Sequence, residues 1–193
     1  MKLFSQQLDE ESERAFEALS RSEIHTVLSA SCEIRAGGSV LTVGSISIQI
    51  EPERFVVIEN DWSDTPIEGI DYYFLSARIA SSPKGIYFNP NWRPGGVGYH
   101  ADHMSLNLGP LSRVARVDIL EYCDEGTDES VRHDAGLLIT RADGLVLSIT
   151  REETISGNLE IAHRPEEIAR AVSGLTLRKS FGGPPPEPIP PPE

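Results

Sequence analysis

Six residues, Ser45 to Ile50, constrain this chain more than any other stretch. Ile46, Ile48 and Ile50 alternate strictly with Ser45, Ser47 and Gln49. A period of two puts successive side chains on opposite faces, so this is a strand with one buried and one wet face. The chain must therefore build a sheet with a packed side. The apolar runs around it point the same way. Ile24–Ile34 is rich in small and β-branched residues and is bounded by Gly37-Gly38. Phe55–Glu59 (FVVIE) and Tyr72–Ile79 (YYFLSARI) are aromatic and β-branched. Met104–Leu108 reads as a short strand and Arg113–Tyr122 as a separate, longer one. Gly136–Arg141 and Leu145–Thr150 flank Ala142-Asp143-Gly144, a hairpin signal of the type I′ kind. Asn158–Ala162 and Leu175–Ser180 complete the set.

Only two stretches have a helical period. In Leu8–Arg21 the residues Leu8, Ala15, Phe16 and Leu19 share one face, with Glu10–Arg14 and Glu17–Arg21 as favourable i,i+4 pairs. Pro165–Val172 opens on proline, carries Glu166 and Glu167 in its first turn and is followed by Gly174. Helix, many strands, helix, strand is an α+β order, since a doubly wound fold would alternate strand and helix. The expectation is a mainly antiparallel sheet, curved or partly closed, with an N-terminal helix and one short C-terminal helix. It occupies a single globular domain over residues 1–181. Residues 182–193 hold seven prolines and read as a disordered tail that samples polyproline II. A ligand for an aromatic-lined groove is the sharper reading of that tail, weakened by the lack of a basic residue after Lys179.

Charge narrows the partners. Seventeen Lys and Arg face 30 Asp and Glu, a formal net charge of -13. That field repels nucleic-acid phosphate and anionic lipid, and steers basic proteins inward. No run of about 18 apolar residues is present, so no helical membrane span is expected, and the cytoplasm is the default compartment. The acid concentrates in Glu51–Asp71, opposed only by Arg54, and in Asp118–Asp134, opposed only by Arg132. Side by side, the two stretches would make one negative face. Cys32 and Cys123 match no metal or redox spacing and read as buried thiols.

Candidate chemistry is sparse. Glu59, Asp61, Trp62, Asp64 and Asp71 surround what reads as a polar loop between two strands. They do not match the calcium-loop pattern of an EF-hand. A tryptophan among carboxylates suits recognition of a basic protein. Trp92 lies in the irregular, Gly- and Pro-rich stretch Ser81–Gly98 with Tyr87 and Phe88, where large aromatics either plug a sheet or line a surface. His100, Asp102 and His103 could share one divalent cation in a turn, but they lack the HExxH arrangement. Cys123, His133 and Asp134 can be assembled as nucleophile, base and orienter. Three acids nearby would raise the thiol pKa, however, and G-x-S-x-G and P-loop sequences are absent. The expectation is a non-enzymatic intracellular protein-binding domain of inhibitor, immunity or adaptor type, without a cofactor. It would present Glu59, Asp61, Trp62, Asp64 and Trp92 to a basic partner. The alternative is a metal-binding or metal-assisted hydrolase domain built on His100, Asp102 and His103.

Overall fold

The computed structural model describes residues 2–64, 71–86, 103–125, 129–152 and 157–183. The elements run β1 (Lys2–Gln6), α1 (Glu10–Ser20), β2 (Glu23–Ser29), β3 (Glu33–Ile34), β4 (Leu41–Val43), β5 (Ser45–Glu51), β6 (Arg54–Asp64), β7 (Asp71–Ala80), β8 (Met104–Glu125), β9 (Glu129–Arg141), β10 (Val146–Arg151), β11 (Leu159–Ala162), α2 (Pro165–Ala171) and β12 (Thr176–Gly182). The fold is α+β, as the order of sequence signals implies. The strands form one ladder, β3-β4-β11-β10-β9-β8-β2-β5-β6-β7, with β12 added to β8 and β1 to β9. The β1–β9 pairing is parallel; the other described pairings are antiparallel.

The ladder is not closed by hydrogen bonds, yet the chain curls it. β4 lies near one end, against β11, and β5 lies towards the other, between β2 and β6. Only Gly44 separates them. Strands six places apart in the ladder are thus held one residue apart in the chain, and the sheet must bend round on itself. The alternating apolar residues fill the interior. Ile46 and Ile48 of β5, Val56 and Ile58 of β6, Val117 and Ile119 of β8, Leu137 and Ile139 of β9, and Leu147 and Ile149 of β10 are buried in one cluster. At about 25 cal/mol per Å² of apolar surface removed from water, such a core is the dominant favourable term.

β8 supplies the second bend. Its first half pairs with β2 and its second half with β9 and β12. The sequence suggested two strands here because Gly109-Pro110 interrupts the run. The structure makes one strand with an excursion. Ile24 faces Ser112 while Thr26 faces Asn107, so residues 108–111 are looped out of register. Gly109 takes φ +87°, a conformation glycine adopts without strain. The excursion is tied down by Arg141, whose side chain is fully buried. Its guanidinium donates to the Leu108 carbonyl at 2.8 Å and the Pro110 carbonyl at 2.7 Å, and pairs with Asp143.

α1 covers the core with Ala15, Phe16 and Leu19. Asp9 is its N-cap, accepting from the Ser12 amide at 2.8 Å, which holds its carboxyl below the usual range. Ser12 in turn accepts the Ala77 amide of β7 at 2.9 Å, pinning the helix to a sheet edge. The hairpin at Asp143-Gly144 forms, but not as type I′. Among its residues only Gly144 has positive φ, and the Gly144 amide donates to the Arg141 carbonyl at 3.1 Å. That is a type I turn followed by a glycine in the left-handed region.

Four other sequence expectations are corrected. Lys2–Gln6, read as part of no element, is a strand because β9 offers it an edge beyond the end of β10. Ile24–Ile34 is two strands in different parts of the ladder. The loop expected over residues 60–71 is strand as far as Asp64 and again from Asp71. Cys32 is exposed, not buried, since it lies between β2 and β3 outside the ladder; both described thiols are free.

Candidate functional site: the acidic end of the β6–β7 hairpin

β6 and β7 pair continuously from Phe55 opposite Ala80 to Asp64 opposite Asp71. The lower half is core. Above Ile58 the sequence turns acidic and aromatic while the ladder continues. Glu59 stands opposite Ser76, Asp61 opposite Phe74, Trp62 opposite Tyr73, Ser63 opposite Tyr72, and Asp64 opposite Asp71. Aromatic and β-branched residues favour such positions, whereas aspartate is depleted from strands. Like charges directly opposite one another are also destabilising. This hairpin end thus carries three aspartates against local preference, two of them at one register position.

The structure separates the expected contact residues. Glu59 is committed internally. Its side chain is 14% exposed and pairs with Arg78 at 3.1 Å and with Lys84. Asp61 is exposed and accepts from the Ser76 hydroxyl. Asn60 is buried between them and donates to the Asn158 carbonyl at 3.2 Å, which fixes β6 against the start of β11. Trp62 and Asp64 are strand residues beyond these anchors. Trp92 lies outside the described residues.

Three acids of the second stretch are taken up inside the fold. Asp118, Glu121 and Asp134 are all buried. Asp118 pairs with Arg116 and accepts from Ser180 at 2.6 Å. Glu121 accepts from Gln7 at 3.3 Å and has Arg132 at 3.6 Å. Asp134 accepts the Leu8 amide at 2.7 Å and two nitrogens of Arg178. Arg178 also reaches Glu13 at 3.1 Å, and Lys179 reaches the same carboxylate at 2.7 Å. Burial opposes the charge on Glu13, but the hydrogen bonds of Lys179 and Arg178 outweigh it and lower its pKa. For Asp134 burial wins, and its pKa is raised despite Arg178, with Glu121 adding repulsion. These residues brace α1 and β12 against β8 and β9, and Asp118, Glu121 and Asp134 add nothing to an exposed acidic face. Nothing in the sequence flagged the brace, because Glu13, Asp134 and Arg178 are far apart in the chain.

The other expected constellations fare differently. His100 and Asp102 lie outside the described residues, and His103 is half-buried just ahead of β8. Among the described residues no group of three His, Cys, Asp or Glu could hold a metal ion. Cys123 and His133 do not assemble as nucleophile and base. His133 is paired in register with Tyr122, and their rings lie 5.3 Å apart on one face. Cys123, the next residue, belongs to the opposite face. Burial, with the charge of Arg151, depresses the His133 pKa to about 3, so the imidazole is neutral at ordinary pH.

No helix among the described residues is long and apolar enough to cross a membrane. Compared with protein-family models, with curated proteins and with solved structures, the chain matches none.

Proposed function

We propose that this protein is a non-enzymatic protein-binding domain that docks a basic partner on the acidic, aromatic end of its β6–β7 hairpin. The observation that carries the reading is the register: Asp64 opposite Asp71, with Trp62 opposite Tyr73 one rung below Ser63. Like charges at opposite register positions are unfavourable in a sheet. A Lys or Arg side chain seated between them would convert that repulsion into two attractive contacts. Trp62 supplies the kind of large, rigid contact area that dominates binding hot spots. Asp61 adds a carboxylate whose position is held by Ser76. Glu59 lends support from behind, through Arg78 and Lys84, and is not counted among the free acids.

The rest of the fold favours the same reading. The cations Arg116 and Arg141 are buried, and each is matched to a carboxylate. Their charges are neutralised locally, and the chain as a whole carries a net charge of -13. A field of that size accelerates encounter with basic proteins at low ionic strength.

The test is affinity capture from the source cell at low salt, with the native chain and with Asp61→Lys/Asp64→Lys/Asp71→Lys as parallel baits. The expected result is a stoichiometric basic protein held by the native chain, released as salt rises, and not held by the variant. Absence of any stoichiometric partner at low salt overturns the reading, as does a partner retained equally by both baits.

A further inference from the structure

β12 ends at Gly182, where this edge of the sheet has no further room. β12 and β2 use the same edge of β8, opposite β9. The last rung of β12 is the Gly183 amide on the Ala115 carbonyl at 2.9 Å. One residue on, the Val114 amide donates to the Ser22 carbonyl at 2.8 Å, and β2 takes over the edge with Glu23 opposite Arg113. A continuation of β12 along this edge is therefore blocked by β2. Gly182 fits this strand end: its φ is +97°, and a Cβ there would stand 2.4 Å from the Ala115 carbonyl oxygen. The prolines that follow have no N–H with which to rejoin a ladder.

At this strand end lies a furrow. One part, of about 420 Å³, is lined by Glu17, Arg21, Arg113 and Phe181. A second part, of about 360 Å³, shares Arg21 and is lined by His25, Pro52 and Leu111. Leu111 sits in the looped-out excursion of β8 and is 58% exposed. Arg113 is exposed, and among the described residues it forms no ion pair, although Glu23 stands opposite it in the ladder. Glu17 is already matched to Arg21, and Glu51, further along the furrow, to Arg54.

We propose that residues 184–193 dock along this furrow as a strap, with prolines against Leu111 and Pro52 and the Glu187 carboxylate on Arg113. Three observations argue for this occupant. β12 runs antiparallel to β8, so beyond Gly182, opposite Arg116, its direction points towards Arg113. A polyproline II segment advances about 3.1 Å per residue, which carries the chain about 16 Å by Glu187, more than the roughly 10 Å of strand from Arg116 to Arg113. The tail's charges, Glu187 and Glu193, are both negative, which suits an exposed arginine without an ion pair. A proline-rich segment also has little conformational freedom to lose on docking. The strap is independent of the β6–β7 docking reading.

The test compares amide NMR spectra of the full chain with those of a chain ending at Gly183. Docking predicts shifts at residues 21–25 and 111–113 on truncation, restored when a peptide of residues 184–193 is added at millimolar concentration, the range of effective concentration a short tether provides. In the full chain, Arg113→Glu and, separately, the exposed Leu111→Ser should reproduce the truncated spectrum at residues 21–25. In the truncated chain each should weaken peptide binding at least fivefold. A truncated spectrum that differs only at residues 181–183 overturns the proposal, as does peptide binding that is indifferent to both substitutions.

Discussion

Arg178 grips Asp134 with two nitrogens, Nε at 2.6 Å from one carboxylate oxygen and Nη2 at 2.8 Å from the other. The pair joins the last strand to the middle of the sheet, and the Leu8 amide on the same carboxylate joins the entry to α1. Asp134 is 2% exposed, so solvent cannot replace a lost partner. Removing one member of a buried pair costs about 3–5 kcal/mol, because the other is stranded. Arg178→Met should therefore lower the urea midpoint sharply, whereas Arg178→Met combined with Asp134→Asn, which keeps an acceptor for the Leu8 amide, should recover part of the loss. A single variant as stable as the native chain would show that the brace carries no load.

His133 predicts a pH dependence. In the folded chain its pKa lies near 3, against 6.5 when unperturbed. The unfolded chain takes up a proton below pH 6.5 and the folded chain does not. Stability from this group is therefore full above pH 6.5, falls as pH drops from 6.5 towards 3, and is lost below that. The slope in that window is at most about 1.4 kcal/mol per pH unit. Asp134, with its raised pKa, acts in the opposite direction, so the native profile is a composite. The difference between native and His133→Gln unfolding curves, measured from pH 7 to pH 4, isolates the histidine. Parallel curves would contradict its neutral burial.

Asp64→Asn should separate stability from binding. With half of the facing pair at Asp64–Asp71 removed, the free protein should gain a few tenths of a kcal/mol, seen as a small rise in Tm. Retention of the basic partner at low salt should fall in the same variant. A stability gain with undiminished capture would place docking elsewhere.

Ser12→Ala tests the tie between helix and sheet edge. The Ala77 amide is buried and uses the Ser12 hydroxyl as its acceptor. Leaving a buried donor unsatisfied costs about 1–3 kcal/mol. Hydrogen exchange at Ala77 should accelerate by more than at the neighbouring amides of β7. Uniform acceleration across β7 would mean that the bond is replaced by water at no local cost.

The hairpin at Asp143-Gly144, the two helices and the core-facing isoleucines of β5 were readable because each depends on residues adjacent in sequence; the wet face expected for β5 was not found, since Ser47 is buried and accepts the Lys84 amide. The extension of β6 and β7 was not readable. Asp61, Ser63 and Asp64 have low strand preference, and only the neighbouring strand, through Tyr72, Tyr73 and Phe74, holds them extended. The union of two apparent strands into β8 was equally hidden. Gly109-Pro110 reads as a break until Arg141, some thirty residues on, supplies the donors that tolerate it.

By itself, then, the sequence determined the fold class, the residues of the core and the sign of the surface charge. Those follow from local periodicity and from composition. The tertiary structure alone decided which acids face outward. It buried Asp118, Glu121 and Asp134 against arginines and left the β6–β7 end with its aspartates opposed. The physical reason is that the environment of a carboxylate depends on which distant cation the fold brings within hydrogen-bonding reach. Spacing along the chain carries no record of that distance.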